Sequence, residues 1–238
     1  MGAKALESIA AGSVAIVFGA SGGIGAALLA ALRDAGRFDT VHGFSRRSAV
    51  PVDLTDEASI SHAVDIADKS GDIRLVIDAT GFLHGQRMAP EKTWRALGVD
   101  QLAHAFAINA IGPALLMKHV LPKLPRTGKA VFATLSARVG SIEDNRLGGW
   151  YSYRASKAAL NQLVRTAAIE LSRRAPEALC IALHPGTVAT PLSDRFAKAG
   201  LDVLMPAQSA KHLLSLIDQL DVDANGGFFD WRGDQVPW

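Results

Sequence analysis

Tyr153 and Lys157 stand four residues apart in Tyr153-Arg154-Ala155-Ser156-Lys157. On a helix, that spacing puts both side chains on one face, a few ångströms from each other. A free tyrosine titrates at about pH 10. A neighbouring ammonium favours the phenolate and lowers that value. The pair therefore predicts a phenol that can act as acid or base near neutrality. A second candidate is the run Gly19-Ala20-Ser21-Gly22-Gly23-Ile24-Gly25. Glycines let the backbone turn sharply and let a pyrophosphate come close, while the free N–H groups of a helix start attract the anion. The run lacks the Lys-Ser/Thr pair of a nucleoside-triphosphate loop, which disfavours ATP.

The choice of dinucleotide rests on a different stretch. Sites that prefer NAD place an Asp or Glu about 20 residues past the glycines, on the ribose hydroxyls. Here that place reads Gly43-Phe44-Ser45-Arg46-Arg47, with one hydroxyl, two guanidiniums and no carboxylate. Arginine binds a 2′-phosphate with charge-assisted hydrogen bonds, where an acid would repel it. The expected cofactor is NADP, with NAD less favoured.

These groups need elements to hold them. Val14–Phe18 reads as a strand that runs into the glycines, and Gly22–Ala35 as a helix with Ile24, Leu28, Leu29 and Leu32 on one side. Thr40–Phe44, Ile73–Ile77, Ala130–Leu135, Leu179–Leu183 and Gly227–Trp231 read as further strands. Between them, Thr55–Lys69, Glu91–Val120 (one helix or two in series), Tyr151–Arg174 and Gln208–Leu220 read as helices. The strands are continuous apolar runs, which implies burial on both faces. The expected fold is α/β: a Rossmann-type, doubly wound parallel sheet of about seven strands with helices on both faces. With no internal repeat or linker, residues 1–238 are expected to form a single domain. Within it, residues 187–206 carry prolines and no core period, and are expected to form a mobile loop over the substrate.

Composition excludes other classes. At 238 residues the chain can bury a sizeable core without cross-links. A hydrophobic share of 49% with 20% charged residues excludes a disordered chain. The single cysteine, Cys180, excludes an internal disulfide, an iron–sulfur cluster and a zinc ribbon, and the histidines show no metal-ligand spacing. A net charge of +2 gives no reason to expect nucleic acid. No apolar run reaches the ~20 residues of a membrane span, and the first residues do not resemble an export signal. A cytoplasmic setting is expected.

Taken in order, the glycine turn, an Asn in a later helix, a Ser ahead of the last long helix, and Tyr-x-x-x-Lys resemble the short-chain dehydrogenase/reductase family, from Val14 to the last strand. Ser136 to Lys157 and the ending Phe229-Asp230-Trp231 look most like its C-factor-like and carbonyl-reductase-like members. The resemblance implies hydride transfer between a nicotinamide and a small carbonyl or alcohol substrate. It makes Tyr153 the general acid/base, Lys157 the group that lowers its pKa and holds the nicotinamide ribose, and Asn109 the anchor of a proton-relay water. Gly19, Ser21, Gly23, Ile24 and Gly25 would hold the pyrophosphate, Ser45 and Arg46 the adenosine ribose, and Asp53 the adenine. Ala79 and Gly81 would border the cofactor, in a segment where Asp78 replaces the family's asparagine. Pro185, Gly186, Val188 and Thr190 would meet the nicotinamide amide. The family's catalytic serine sits three residues before a glycine. Here that place is Ala137, so Ser136 is assigned the role, with Ser141 or no hydroxyl at all as the alternatives. The family also implies a homodimer or homotetramer, assembled through Leu102–Pro122 and Tyr151–Arg174. A cofactor-bound signalling or sensor protein without turnover is the alternative reading.

Overall fold

The computed structural model describes residues 6–85, 88–192 and 202–238. Six strands pair side by side, all parallel: β1 (Ser13–Phe18), β2 (Phe38–Phe44), β3 (Ile73–Asp78), β4 (Ala130–Leu135), β5 (Ala178–His184) and, near the end of the chain, β8 (Phe228–Asp230). Their order across the sheet is β2-β1-β3-β4-β5-β8. The chain winds outward from β1 to β2, returns past β1 to β3, and then proceeds to the far edge. The sheet thus has six strands where about seven were expected, and beyond β2 a single parallel bridge joins Ser45 and Pro51.

Alternate residues of each strand serve two cores. Val14, Ile16 and Phe18 face one side, with Phe132 and Cys180. There they meet α2 (Glu57–Asp68), α4 (Gly112–Val120) and α5 (Tyr151–Arg174) through Ile60, Val64, Leu116, Val120, Leu160 and Val164. Ala15, Val17, Leu75, Ile77 and Ile181 face the other side. Their partners are Leu28 and Leu32 of α1 (Gly23–Asp34) and Leu213 and Ile217 of α6 (Pro206–Gln219). Burial on both faces explains the unbroken apolar runs. Burial also pushes the Cys180 thiol up to about 12, which keeps it inert.

The stretch expected as helix from Glu91 begins later. A short turn at Trp94–Ala96 precedes α3 (Val99–Phe106). A π turn, Ala107–Ile111, then joins α3 to α4. By length and composition Val99–Lys123 could cross a membrane, but 44% of its apolar window is buried in the protein. Leu116, Met117 and Val120 pack in the core, which identifies it as a core helix. In the segment 187–206, β6 (Thr187–Val188) pairs in parallel with β7 (Val203–Leu204). Residues 193–201 of the expected substrate loop lie outside the described residues.

Candidate active site

The ends of β1, β3, β4 and β5 lie along one edge, where a doubly wound sheet takes its ligands. After β1, Gly19 adopts a left-handed φ of 78°. A Cβ there would lie 2.8 Å from the backbone oxygen of Ala79, just past β3. Gly25 is more constrained, since a Cβ would stand 2.2 Å from the Gly19 oxygen. A Cβ on Gly23 would lie 2.7 Å from the Thr190 methyl, so the segment after β5 closes over the turn. Ser21 is exposed at the tip, and Ile24 and the buried Gly25 tie the turn to the sheet. Neither a side-chain cap nor an acidic first turn occupies the start of α1. These features fit a pyrophosphate: glycine leaves the room and the helix leaves its N–H groups unused.

The end of β2 is basic as expected. Arg46 and Arg47 are exposed, and the Ser45 hydroxyl accepts the Arg47 N–H at 3.1 Å. Asp53 accepts both the N–H and the hydroxyl of Thr55. These hydrogen bonds, together with the charge of Arg46, hold its carboxyl below the usual range.

Past β3, Gly81 lies between two predicted groups: a Cβ on it would sit 3.7 Å from Asn109 Oδ1 and 3.8 Å from Lys157 Nζ. Asn109 is fully buried in the π turn. Its Oδ1 accepts the Phe82 N–H at 2.7 Å, and its Nδ2 donates to the Phe82 oxygen and the Ser156 hydroxyl. The wider π turn explains how a polar side chain reaches the sheet edge from a core helix. Asp78 is buried and accepts from Thr80 and Thr134. Burial raises its carboxyl pKa against the opposing pull of these bonds and of Lys157.

Tyr153 and Lys157 share one face of α5, and Lys157 reaches this edge. Lys157 is 2% exposed and donates to the Leu135 oxygen at 2.7 Å. Burial brings its pKa down to about 8, and the Asp78 charge opposes the fall. Tyr153 is half-buried, with its ring 6.2 Å from Trp150. Burial pushes its phenol up to about 12. The Lys157 ammonium gives its hydrogen bond to the Leu135 oxygen.

The hydroxyls of both candidate serines find partners within the fold. Ser136 is buried and gives its proton to Asn161 Oδ1 at 2.7 Å. Asn161 stands two turns past Tyr153 on α5, about 12 Å along the axis. Ser141 donates to the Trp238 oxygen and accepts the Asp144 N–H. Both hydroxyls are committed inside the fold. Ala137 follows Ser136 in extended backbone, so its side chain points to the opposite side. Beyond β5, Pro185 accepts from Ser209, Gly186 (φ 85°) lies against Trp231, and Val188 and Thr190 are buried. Next to Pro185, His184 is held neutral, its pKa brought down to about 4 by burial.

One participant left no trace in the sequence reading. Glu91 is 2% exposed and binds the first turn of α5. No local signal marks it, since its partner Ser152 is 61 residues away.

The chain is similar to known proteins in sequence and in fold. The family model described as Enoyl-(Acyl carrier protein) reductase matches residues 2–223. The chain is 40% identical over 150 residues to "C-signal" of Myxococcus xanthus, covering 61% of this chain and 85% of that protein. It is 31% identical over 188 residues to 1-hydroxy-2-glutathionyl-2-methyl-3-butene dehydrogenase of Rhodococcus sp., covering 79% and 78%. NADPH-bound carbonyl reductase from chicken fatty liver superposes with a TM-score of 0.84 at 24% identity, over 98% of this chain and 96% of that one. The family model covers most of the chain and the Rhodococcus dehydrogenase matches four-fifths of it, so the chain belongs to the short-chain dehydrogenase/reductase family of oxidoreductases.

Proposed function

We propose that the protein is an NADP-dependent oxidoreductase that reduces a small carbonyl compound or oxidises the matching alcohol. The observation that carries the reading is the Tyr153–Lys157 pair on one face of α5, with Lys157 reaching the sheet edge beside Gly81. The nicotinamide, when bound, supplies or accepts the hydride at the carbonyl carbon. Tyr153 then gives or takes the proton on the oxygen. Lys157 lies beside Gly81, placed to hold a ribose hydroxyl, and Asn109 keeps the Phe82 backbone against it. A panel of aldehydes and ketones, followed by loss of NADPH absorbance, tests the reading. Cofactor binding without turnover of any carbonyl would favour the sensor alternative, which the committed hydroxyls of Ser136 and Ser141 support.

The cofactor assignment rests on Arg46 and the missing acid at the end of β2. NADPH should bind more tightly than NADH. Arg46→Ala should weaken NADPH by roughly 1.5–3 kcal/mol, the scale of a hydrogen bond to a charged group, and leave NADH nearly unchanged. Titration of both cofactors by fluorescence checks this, and equal affinities in the parent would refute it.

Ser136 has its proton on Asn161, so Ser136→Ala should stay within about threefold of parental turnover. Its effect should fall on stability, by roughly 1–3 kcal/mol, because Asn161 loses its partner. A donor aimed at the reacting oxygen is typically worth about 10²–10³ in rate. Ala137→Ser should therefore raise turnover. A crippled Ser136→Ala enzyme with parental stability would return the catalytic role to Ser136.

Assembly is expected through Leu102–Pro122 and α5, where Ile111 and Ile169 remain about half exposed. Light scattering reads the oligomeric state.

A further inference from the structure

The catalytic helix α5 begins without the usual means of holding a helix start. Its N-cap, Trp150, offers no side-chain cap, and the first turn contains no acidic residue. The chain enters through three consecutive left-handed residues, Gly148, Gly149 and Trp150. A non-glycine residue in that conformation persists only when its surroundings enforce it. Tyr153 is the third residue of the helix, where an unanchored end frays most easily.

Glu91 provides the missing anchor from a distant segment. Its carboxylate accepts the Ser152 N–H at 3.2 Å and also the Ser152 hydroxyl. Its backbone oxygen accepts the Trp150 N–H at 2.5 Å. One residue thus satisfies the N-cap, the second helical N–H and a hydroxyl, and it sets a negative charge against the positive end of the helix. Arg154 binds the same entry from the other side, donating to the backbone oxygens of Gly149, Val139 and Gly148. Glu91 also belongs to the connection that leaves β3. Near its start that connection carries Gly81 beside Lys157 and Phe82 bonded to Asn109. Glu91 therefore ties the wall of the site to the turn that bears Tyr153.

We propose that Glu91 is a positioning residue for the reaction: by holding Trp150 and Ser152, it sets the height and rotation of the first turn of α5 and so the place of Tyr153 above the sheet edge. The proposal rests on Tyr153 as the acid/base. It predicts a defect in kcat rather than in cofactor binding, because the glycine turn that holds the pyrophosphate lies on other elements.

The experiment compares Glu91→Ala, Glu91→Gln, Ser152→Ala and Tyr153→Phe with the parent, on the fastest carbonyl of the panel and well below each variant's Tm. Glu91→Ala should lose about tenfold or more in kcat, with NADPH affinity within about twofold of the parent. Glu91→Gln keeps an oxygen for Ser152 and should recover most of that loss. Ser152→Ala should fall between the two. A parental kcat in Glu91→Ala, with Tyr153→Phe inactive, overturns the proposal alone. So does a Glu91→Ala enzyme that loses kcat and NADPH affinity in equal measure, or one that Gln does not rescue. A fully active Tyr153→Phe enzyme removes the acid/base reading and the proposal with it. If Glu91→Ala does not fold, Ser152→Ala decides, and parental kcat there overturns the proposal.

Discussion

Tyr153→Phe should lose ~10²-fold or more in carbonyl turnover, the scale of a positioned proton donor, while NADPH affinity stays within about twofold of the parent. The substitution removes one oxygen and keeps the ring that packs edge-on to Trp150. Among the described residues the phenol makes no side-chain hydrogen bond, so its loss strands no partner. Native circular dichroism and a parental Tm are therefore expected. Turnover near the parental rate would mean that the proton comes from elsewhere. Lys157→Met is a different lesion, since Lys157 reaches Leu135 and stands beside Gly81. It should lower both NADPH affinity and rate.

Gly25→Ala should weaken NADPH by about tenfold or more and lower the Tm, because a methyl at 2.2 Å from a backbone oxygen cannot be accommodated without moving it. That oxygen belongs to Gly19 and already accepts the Gly22 N–H at 2.9 Å, so the whole turn must shift. Overpacking of this kind typically costs about 1–3 kcal/mol. The N–H groups at the start of α1 would also leave the position where an anion meets them. Gly98→Ala is the control: nothing stands within 4 Å of its Cβ position, and its φ is −137°. Parental affinity and Tm in Gly25→Ala would show that the turn does not need glycine for close approach.

The glycine turn and the Tyr153–Lys157 face were legible because their chemistry depends on spacing within a few residues, inside one turn or one helix. The sheet was legible for the same reason, since each strand carries its own apolar run. The small β6–β7 pair was not, because a strand exists only if a partner accepts its hydrogen bonds, and Thr187–Val188 finds its partner at Val203–Leu204. The start of α3 was misplaced for a related reason. Glu91 reads as a good helix former, but its carboxylate is spent on α5.

What the sequence by itself determined is the set of parts: the two-sided sheet, the glycine turn, the basic end of β2, the Asn109 segment and the Tyr153–Lys157 pair. Tertiary structure alone decided how charge and hydroxyls are spent. It turned the Ser136 proton toward Asn161, gave the Lys157 ammonium to the Leu135 oxygen, and brought Glu91 to a helix start 61 residues away. Residue type and spacing specify what a group can do over a few bonds. Desolvation and hydrogen-bond choice depend on which distant segments fill the space around it, and that is settled only when the chain has packed.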